Sequence, residues 1–139
     1  MKRTLFMTFL VAMLAPVVVL SSTPFRGTFV AKEMGMKLVI DLYEESVVVP
    51  DMEMFGPLNG YINGTGLYRT WYVSKIRQCE ERKAVIHLSN DLGSETQPVE
   101  LTLVNDSLLH FREIEGSVMK KAHGKKLVKI PTEFDMRRE

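Results

Sequence analysis

The chain has 139 residues and carries 18 basic and 17 acidic side chains, which gives a formal net charge of +1. This near-neutral balance excludes a globally basic nucleic-acid-binding protein, so we expect no nucleic-acid partner. The single cysteine, Cys79, excludes an internal disulfide, and the fold must therefore be stabilised by packing alone.

The N-terminus has the three-part plan of a secretory signal peptide. Lys2 and Arg3 form a basic start, residues 5–20 carry no charge, and small residues follow. This apolar run is shorter than the roughly 20 residues that a membrane-spanning helix needs, although an uncleaved anchor is the alternative. We predict cleavage after Ser21 or Ser22. The expected product is periplasmic or extracellular and has no stable membrane span.

Short alternating runs, separated by Gly, Asn, Asp and Pro, predict β-strands through the rest of the chain. The first three strands are expected at 27–32, 36–43 and 46–49. The second of these has an apolar residue at every other position, which is the clearest period of two in the chain. A half-buried sheet is the structure that such a pattern favours.

The middle of the chain is rich in turn-forming residues. Residues 52–66 include steps such as Asn63-Gly64 and predict either tight turns or a wide loop, with room for a short strand at 60–62. Longer strands are expected at 67–78 and 83–89. The turn-rich segment is the only long irregular stretch that the pattern leaves between strands.

Aromatic and methionine side chains surround this turn-rich segment. Aromatic rings with a polar group suit ligand rims, sugar stacking and partner interfaces, and flexible methionines suit an adaptable pocket. Ordinary strand packing is the alternative for all of them, and a Cu(I) site is a further alternative for the Met-x-Met steps. Since loops often carry function on a rigid scaffold, we predict the ligand-binding residues to be Met52, Met54, Phe55, Tyr61, Tyr68, Trp71 and Tyr72.

The clearest hairpin is centred on Asn105-Asp106-Ser107. A two-residue loop would place Leu101 opposite His110, whereas a three-residue loop places Leu101 opposite Phe111. The second register pairs apolar with apolar side chains and opposite charges with each other. We therefore predict the three-residue loop.

Charge is unevenly distributed along the chain. Residues 23–115 hold nine basic and fourteen acidic side chains, whereas residues 116–139 hold seven basic and three acidic ones. A second hairpin is expected from 117–121 to 127–130, and a flexible tail is expected at 132–139, after a proline that ends the sheet. The lysines of this hairpin either meet an anionic lipid or polysaccharide, or are solvated and block edge pairing, which we favour.

No catalytic or metal-binding motif stands out. The three histidines lack metal-ligand spacing, the sequence has no Gly-x-Ser-x-Gly step, and acidic neighbours should raise the pKa of the Cys79 thiol. We therefore expect no enzyme activity, no metal and no cofactor. Short acceptor-like sequences for glycosylation occur at Asn63, Asn105 and Ser107.

The recurring short strands predict an all-β fold, because no long stretch beyond the N-terminal segment keeps a helical period. Consecutive hairpins favour an antiparallel up-and-down barrel of about eight to ten strands, with a β-sandwich as the alternative. The expected organisation is a signal peptide at 1–22, a single β domain at 23–131 and a flexible C-terminal tail at 132–139.

The start of this domain carries a resemblance to a known group of proteins. Phe25-Arg26-Gly27-Thr28-Phe29 resembles the Gly-x-aromatic opening of the lipocalin-like (calycin) families, with Phe29 where those families usually have Trp. The resemblance implies a barrel with an interior cavity, and binding rather than catalysis. It implies no particular ligand.

The expected function is non-catalytic binding of a small apolar or amphipathic molecule by an exported protein. The alternative is a protein–protein or glycan interaction module of the cell envelope that uses the aromatic cluster or an edge strand, and an enzyme comes third. A cavity distinguishes the first two, because a ligand-binding barrel should hold a pocket of roughly 300 Å³ or more. The sequence does not indicate an oligomeric state.

Overall fold

A computed structural model describes residues 23–139 of the chain. The predicted signal peptide lies outside these residues, and its cleavage stays a prediction. Within the described part, no helix is long and apolar enough to cross a membrane, and the helices there are short 3₁₀ turns at Lys32–Met34 and Glu53–Phe55. The strands of this part are β1 (Arg26–Ala31), β2 (Met36–Asp41), β3 (Val47–Val48), β4 (Pro57–Leu58), β5 (Gly60–Asn63), β6 (Trp71–Cys79), β7 (Lys83–Asn90), β8 (Thr96–Asn105), β9 (Leu108–Glu113), β10 (Lys120–His123), β11 (Lys126–Lys129) and β12 (Glu133–Arg138).

Eight of these strands form a closed antiparallel barrel in the order β1-β12-β9-β8-β7-β6-β5-β2. Neighbours in the barrel follow one another along the chain, and β12 returns to β1 to close it. The predicted up-and-down barrel is therefore confirmed, and the alternative of a β-sandwich is wrong. The pairs β3–β4 and β10–β11 form two separate hairpins that are inserted between barrel strands.

The barrel interior is filled by alternate side chains of each strand, since successive residues of a strand point to opposite faces. In β2, Met36, Leu38 and Ile40 are buried, which is the period of two seen in the sequence. Ile86 and Leu88 of β7 are buried in the same core. Burial of these aliphatic side chains stabilises the barrel, in which the single cysteine of the described residues forms no disulfide.

The hairpin between β8 and β9 has the predicted register. Leu101 lies opposite Phe111, and Glu100 lies opposite Arg112, whose Nη2 is 2.9 Å from a carboxylate oxygen of Glu100. A bulge after Leu103 lets Asn105 pair with Leu108, so that the tight turn itself is Asp106-Ser107. The third residue of the predicted three-residue loop is therefore taken up by the bulge, and the strand register is the one predicted.

The prediction of a flexible tail at 132–139 is wrong. Residues 133–138 form β12, which pairs with β9 over five residues and with β1 over two. Phe134 and Met136 alternate into the core, and the Phe134 ring stacks on Phe111 with centroids 4.7 Å apart. Proline interrupts a ladder only where its missing N–H is needed. The apolar alternation that follows Pro131 therefore starts a new strand.

The segment between β9 and β12 covers one end of the barrel. Two of its side chains, Met119 and Ile130, are buried in the barrel core. The segment is fixed by the buried side chain of Gln97, whose amide makes four hydrogen bonds with backbone groups. The two hydrogens of its Nε2 are donated to the carbonyl oxygens of Pro98, Ile114 and Gly116, one of them being shared between two acceptors, and its Oε1 accepts from the N–H of Val118.

Candidate functional site

The structure divides the predicted site residues between the two faces of the barrel wall. Tyr61 and Tyr72 lie opposite each other on β5 and β6 and belong to a small outer cluster with Met52 and Val49. Trp71 is adjacent to Tyr72 in the chain but points inward, and it is 3% exposed in the barrel core. These side chains therefore do not form one site.

The remaining predicted residues are also divided. Met54 and Phe55 lie on the second 3₁₀ turn, and both side chains are largely exposed. Tyr68 lies beside Trp71, whose indole Nε1 donates a hydrogen bond to the Tyr68 carbonyl oxygen at 3.1 Å. Of the seven, Tyr68 and Trp71 line one open cleft together.

This cleft, which we call the end cleft, lies at the end of the barrel covered by the β9–β12 segment. It has a volume of about 280 Å³ and is lined in part by Tyr68, Trp71, Leu92, Lys120 and Leu127. The volume is close to the lower limit for a small-molecule pocket. Its walls combine aromatic, aliphatic and cationic side chains, which suits an amphipathic contact.

A sharp turn positions Tyr68 at the end cleft. Arg69 has a φ of 71°, in the left-handed region that is rare for residues other than glycine. The predicted strand at 67–78 therefore begins only at Trp71. The Tyr68 N–H donates to the carbonyl oxygen of Lys120 at 2.7 Å, and Arg69 pairs with Asp91 at 3.2 Å. These contacts join three loops around the cleft.

A larger cleft, which we call the seam cleft, lies where the barrel closes between β1 and β12. Within the described residues, the strand register across this seam covers two pairs, Phe29–Arg138 and Val30–Arg137, and the Glu139 N–H bonds to Thr28 beyond them. Beyond Val30 the chain turns away into the first 3₁₀ turn, whereas β12 continues on the side of β9. The gap that results has a volume of about 690 Å³, which is well within the range of ligand pockets.

Apolar side chains form much of the seam cleft, and charged ones lie around it. Ala31, Met34, Leu108 and Phe134 line it, and Phe134 also belongs to the barrel core. The cleft therefore borders the core through the wall, since Ala31 and Phe134 belong both to the cleft lining and to the core. Its charged lining residues are Lys32, Glu33, Asp135, Arg137, Arg138 and Glu139.

The closed end of the seam is fixed by Arg138. Its guanidinium donates to the carbonyl oxygens of Arg26 and Pro24 on one side and of Asp106 on the other, at 2.7–2.8 Å. It also lies 4.5 Å from the centre of the Phe29 ring. Charge-assisted hydrogen bonds of this kind are strong, and Arg138 is therefore a structural residue rather than a free cation of the cleft.

The open part of the seam exposes backbone groups of β12. The Arg138 N–H bonds to Ser107 on the β9 side, and the Glu139 N–H bonds to Thr28 on the β1 side. Because backbone groups alternate sides along a strand, those of Glu133 and Asp135 point towards the seam. Among residues 23–139, β1 supplies no pairing partner for them. The seam is a short strand edge in an otherwise closed barrel.

The seam cleft is not predicted from the sequence, because residues 132–139 are expected there to be a flexible tail. The signal that could have found β12 is the Phe134-x-Met136 alternation after Pro131. The cleft itself has no local signal, since Met34 and Phe134 are 100 positions apart in the sequence. Only the closure of the barrel places them together.

Other ionisable groups offer little chemistry. In the described part of the chain, no three His, Cys, Asp or Glu side chains lie close enough together to hold a metal ion. Desolvation raises the pKa of the Cys79 thiol, the direction expected from the sequence but with a different main cause. Burial also raises the pKa of the Glu113 carboxyl, whose Oε2 has no hydrogen-bond partner within the described residues.

Comparisons with known proteins add no family to this description. No family model matches the chain, and no curated protein or solved structure matches it either. The closed eight-stranded antiparallel barrel is compatible with a lipocalin-like fold. The function therefore has to be argued from the clefts and their side chains.

Proposed function

We propose that this protein is an exported, non-catalytic binding protein that holds a small amphipathic molecule in the seam cleft. The observation that carries the proposal is the gap of about 690 Å³ between β1 and β12, which borders the core through the barrel wall at Ala31 and Phe134. A large cleft with an apolar lining and a few polar groups is a usual place for a small ligand.

The lining favours an amphipathic ligand over a purely apolar one. Met34 and Leu108 offer apolar contact to an alkyl or ring portion. Lys32 and Arg137 line the same cleft, and neither forms an ion pair with another residue of the described part. A polar or anionic head group at these two side chains would take the place of some of the water molecules that solvate them.

We also infer that the protein belongs to the lipocalin-like families and acts outside the cytoplasm. The up-and-down closure of eight strands and the Gly27-x-Phe29 opening support the first inference. The basic start and apolar run before residue 22 support the second. N-terminal sequencing of the exported protein tests the second inference: it should begin after Ser21 or Ser22, and a retained Met1 would contradict it.

Calorimetric titration with dodecanoate tests the site. The wild-type protein should bind this amphiphile, and Leu108→Glu should weaken binding at least tenfold because it places a charge against the apolar wall. The matched control is Val104→Glu on the same hairpin, an exposed position outside the cleft lining, which should leave affinity unchanged. Native mass spectrometry of protein purified from its source checks for a ligand already bound.

Two results would contradict the proposal. One is the absence both of dodecanoate binding and of a co-purified molecule. The other is binding that Leu108→Glu leaves intact and Tyr68→Ala or Trp71→Phe weakens. That pattern would place the ligand in the end cleft, as the sequence predicted for these two aromatic residues.

A second candidate function is favoured by the exposed edge of β12. An extended peptide of a partner protein can add a strand to backbone groups such as those of Glu133 and Asp135. Asp135→Pro removes the N–H that points towards the seam, whereas Asp135→Ala keeps it and serves as the matched control. A peptide partner should be lost with the proline variant only, while a small amphiphile should bind to both.

A further inference from the structure

The loops at the two ends of the barrel carry opposite charge. The end that bears the end cleft is called the basic end, because its loops hold seven Lys or Arg and four Asp or Glu side chains. The opposite end, called the acidic end, holds one basic and seven acidic side chains in its loops. The loops of the basic end are 32–35, 64–70, 91–95 and 114–132, and those of the acidic end are 42–59, 80–82 and 106–107.

Most of the positive charge comes from hairpin β10–β11. In the register of this hairpin, Lys120 lies opposite Lys129, and Lys121 lies opposite Val128. Adjacent pairs of a two-stranded ribbon point to opposite faces, so that lysines occur on both faces, and Lys125 lies in the turn. None of the hairpin lysines forms an ion pair with another described residue. Their charges are available to a partner.

Two acidic groups near this hairpin are already paired, whereas Glu95 in the end-cleft lining and Glu113 close to Lys129 form no ion pair with a described residue, so that the five hairpin lysines outnumber the free acidic groups. Asp91 pairs with Arg69 at 3.2 Å, and Glu115 pairs with Arg77 at 2.6 Å. The lysines therefore determine the sign of the local field. A charge difference of this kind between two ends orients a molecule in the field of a charged surface.

Exposed apolar side chains lie among these charges. Tyr68, Leu92 and Leu127 are 43%, 66% and 46% exposed, and all three line the end cleft. They come from three separate segments that the fold brings to one end. Leu92 belongs to the β7–β8 loop and Leu127 to β11. Clustered apolar side chains on a surface indicate an interaction site more strongly than scattered ones.

We propose that the basic end docks on an anionic phospholipid surface. Lysines beside exposed apolar side chains match the head-group layer, because anionic phosphates attract the ammonium groups and the acyl boundary accepts the apolar side chains. A dissolved polyanion would use the lysines but would offer no apolar phase to Leu92 and Leu127. Docking in this orientation also keeps the acidic end away from the negative surface. The inference is independent of any ligand in the seam cleft.

Vesicle co-sedimentation with the full chain tests this docking. Vesicles of phosphatidylglycerol and phosphatidylcholine at 30:70 are compared with pure phosphatidylcholine in 50 mM NaCl. All variants keep residues 1–22, so that any contribution of this apolar segment is common to every measurement. The double variant Lys125→Gln/Lys126→Gln should lower partitioning to anionic vesicles about tenfold or more, since each lysine near such a surface contributes about fivefold.

The apolar part of the contact has its own variant and control. Leu92→Ser/Leu127→Ser should lower partitioning about fivefold or more, because two side chains no longer leave water. Val104→Ser, an equally exposed apolar position next to the acidic end, should have no effect. Raising NaCl to 500 mM should weaken binding of the wild-type chain, because exposed charges are screened.

The remaining outcomes overturn the proposal. If the lysine variant binds anionic vesicles as the wild type does, the basic end is not the docking surface. If the leucine variant binds as the wild type does while the lysine variant fails, the surface recognises negative charge alone. Dextran sulfate that binds with the same lysine dependence and competes fully with vesicles would then identify a dissolved polyanion as the partner.

Discussion

The stacked pair Phe111 and Phe134 offers the sharpest test of the barrel closure. Phe111 is fully buried on β9, opposite Leu101 on one neighbouring strand and Phe134 on the other. Phe111→Ala should lower the free energy of unfolding by about 3–5 kcal/mol, the usual cost of removing a buried phenyl ring. Loss of the stacking contact, about 0.5–1.5 kcal/mol, favours the upper half of that range.

The neighbouring residue His110 is the matched control. It points to the outer face, where its Nδ1 lies 2.7 Å from Asp135 and its Nε2 lies 3.5 Å from Glu133. Exposed pairs of this kind contribute about 0–1 kcal/mol, so that His110→Ala should cost little. Phe111→Leu should lower the free energy of unfolding by an amount between those of these two variants, because it keeps part of the buried volume and loses the stacking.

Urea unfolding followed by the fluorescence of Trp71, the single tryptophan, measures all three variants. With a slope of roughly 2 kcal/mol per molar urea, a loss of 4 kcal/mol lowers the midpoint by about 2 M. Equal costs for Phe111→Ala and His110→Ala would refute the reasoning. A larger cost for His110→Ala would mean that the β8–β9 register is displaced by one residue, with His110 inside the barrel.

Three further predictions test other parts of the structure by the same unfolding assay. Burial holds the pKa of Glu113 above its ordinary value of 4.5, so the folded state retains the proton to a higher pH than the unfolded chain. The contribution of this carboxyl group to stability therefore falls as the pH rises from the unfolded-state pKa to the folded-state pKa. Glu113→Gln should therefore be more stable than the wild type at pH 7, and the difference should shrink below pH 4.5; an equal difference at both pH values would contradict this. Gly66→Ala should be destabilised more than Gly93→Ala, because a Cβ at Gly66 would overlap the carbonyl oxygen of Met34, whereas Gly93 has open space and only a positive φ. Gln97→Ala should cost about 2 kcal/mol or more, since it leaves buried backbone groups without partners, and a loss below 0.5 kcal/mol would show that water replaces the amide.

The fold was predictable from the sequence wherever the relevant signal was local. The alternation in β2 and the pairing preferences of the β8–β9 hairpin depend on residues close in the chain, and both predictions are confirmed. The prediction that the sheet ends at Pro131 is wrong. Pro131 stops a ladder at its own position, but the alternation of Phe134 and Met136 directly after it forms the strand that closes the barrel.

The candidate site was less predictable, because proximity in sequence does not fix the face of a strand. Tyr72 and Trp71 are adjacent, and adjacency in a strand places them on opposite sides of the wall. The prediction of a wide loop at 52–66 is wrong for most of the segment, which contains a 3₁₀ turn, β4 and β5, whereas the predicted short strand at 60–62 is confirmed. The β3–β4 hairpin folds over the outer face and covers Tyr61 instead of forming a pocket mouth. The composition of residues 52–72 indicated one cluster of aromatic and methionine side chains, but the alternation of side chains along the strands divides them between the two faces of the wall.

The seam cleft and the basic end are linked by the turn after β1. Lys32 and Met34 line the seam cleft, and the loop that contains them belongs to the basic end. A molecule docked by this end would bring the part of the seam cleft that is lined by Lys32 and Met34 close to the lipid, where amphipathic molecules are concentrated. The two proposals remain separable, because Lys125 and Lys126 lie outside the cleft lining. The lysine double variant and the wild type should therefore bind dodecanoate in solution with the same affinity. The double variant should take up less dodecanoate from anionic vesicles, because it docks on them less. If the double variant lost both its affinity in solution and its uptake from vesicles, the hairpin lysines would bind the ligand itself.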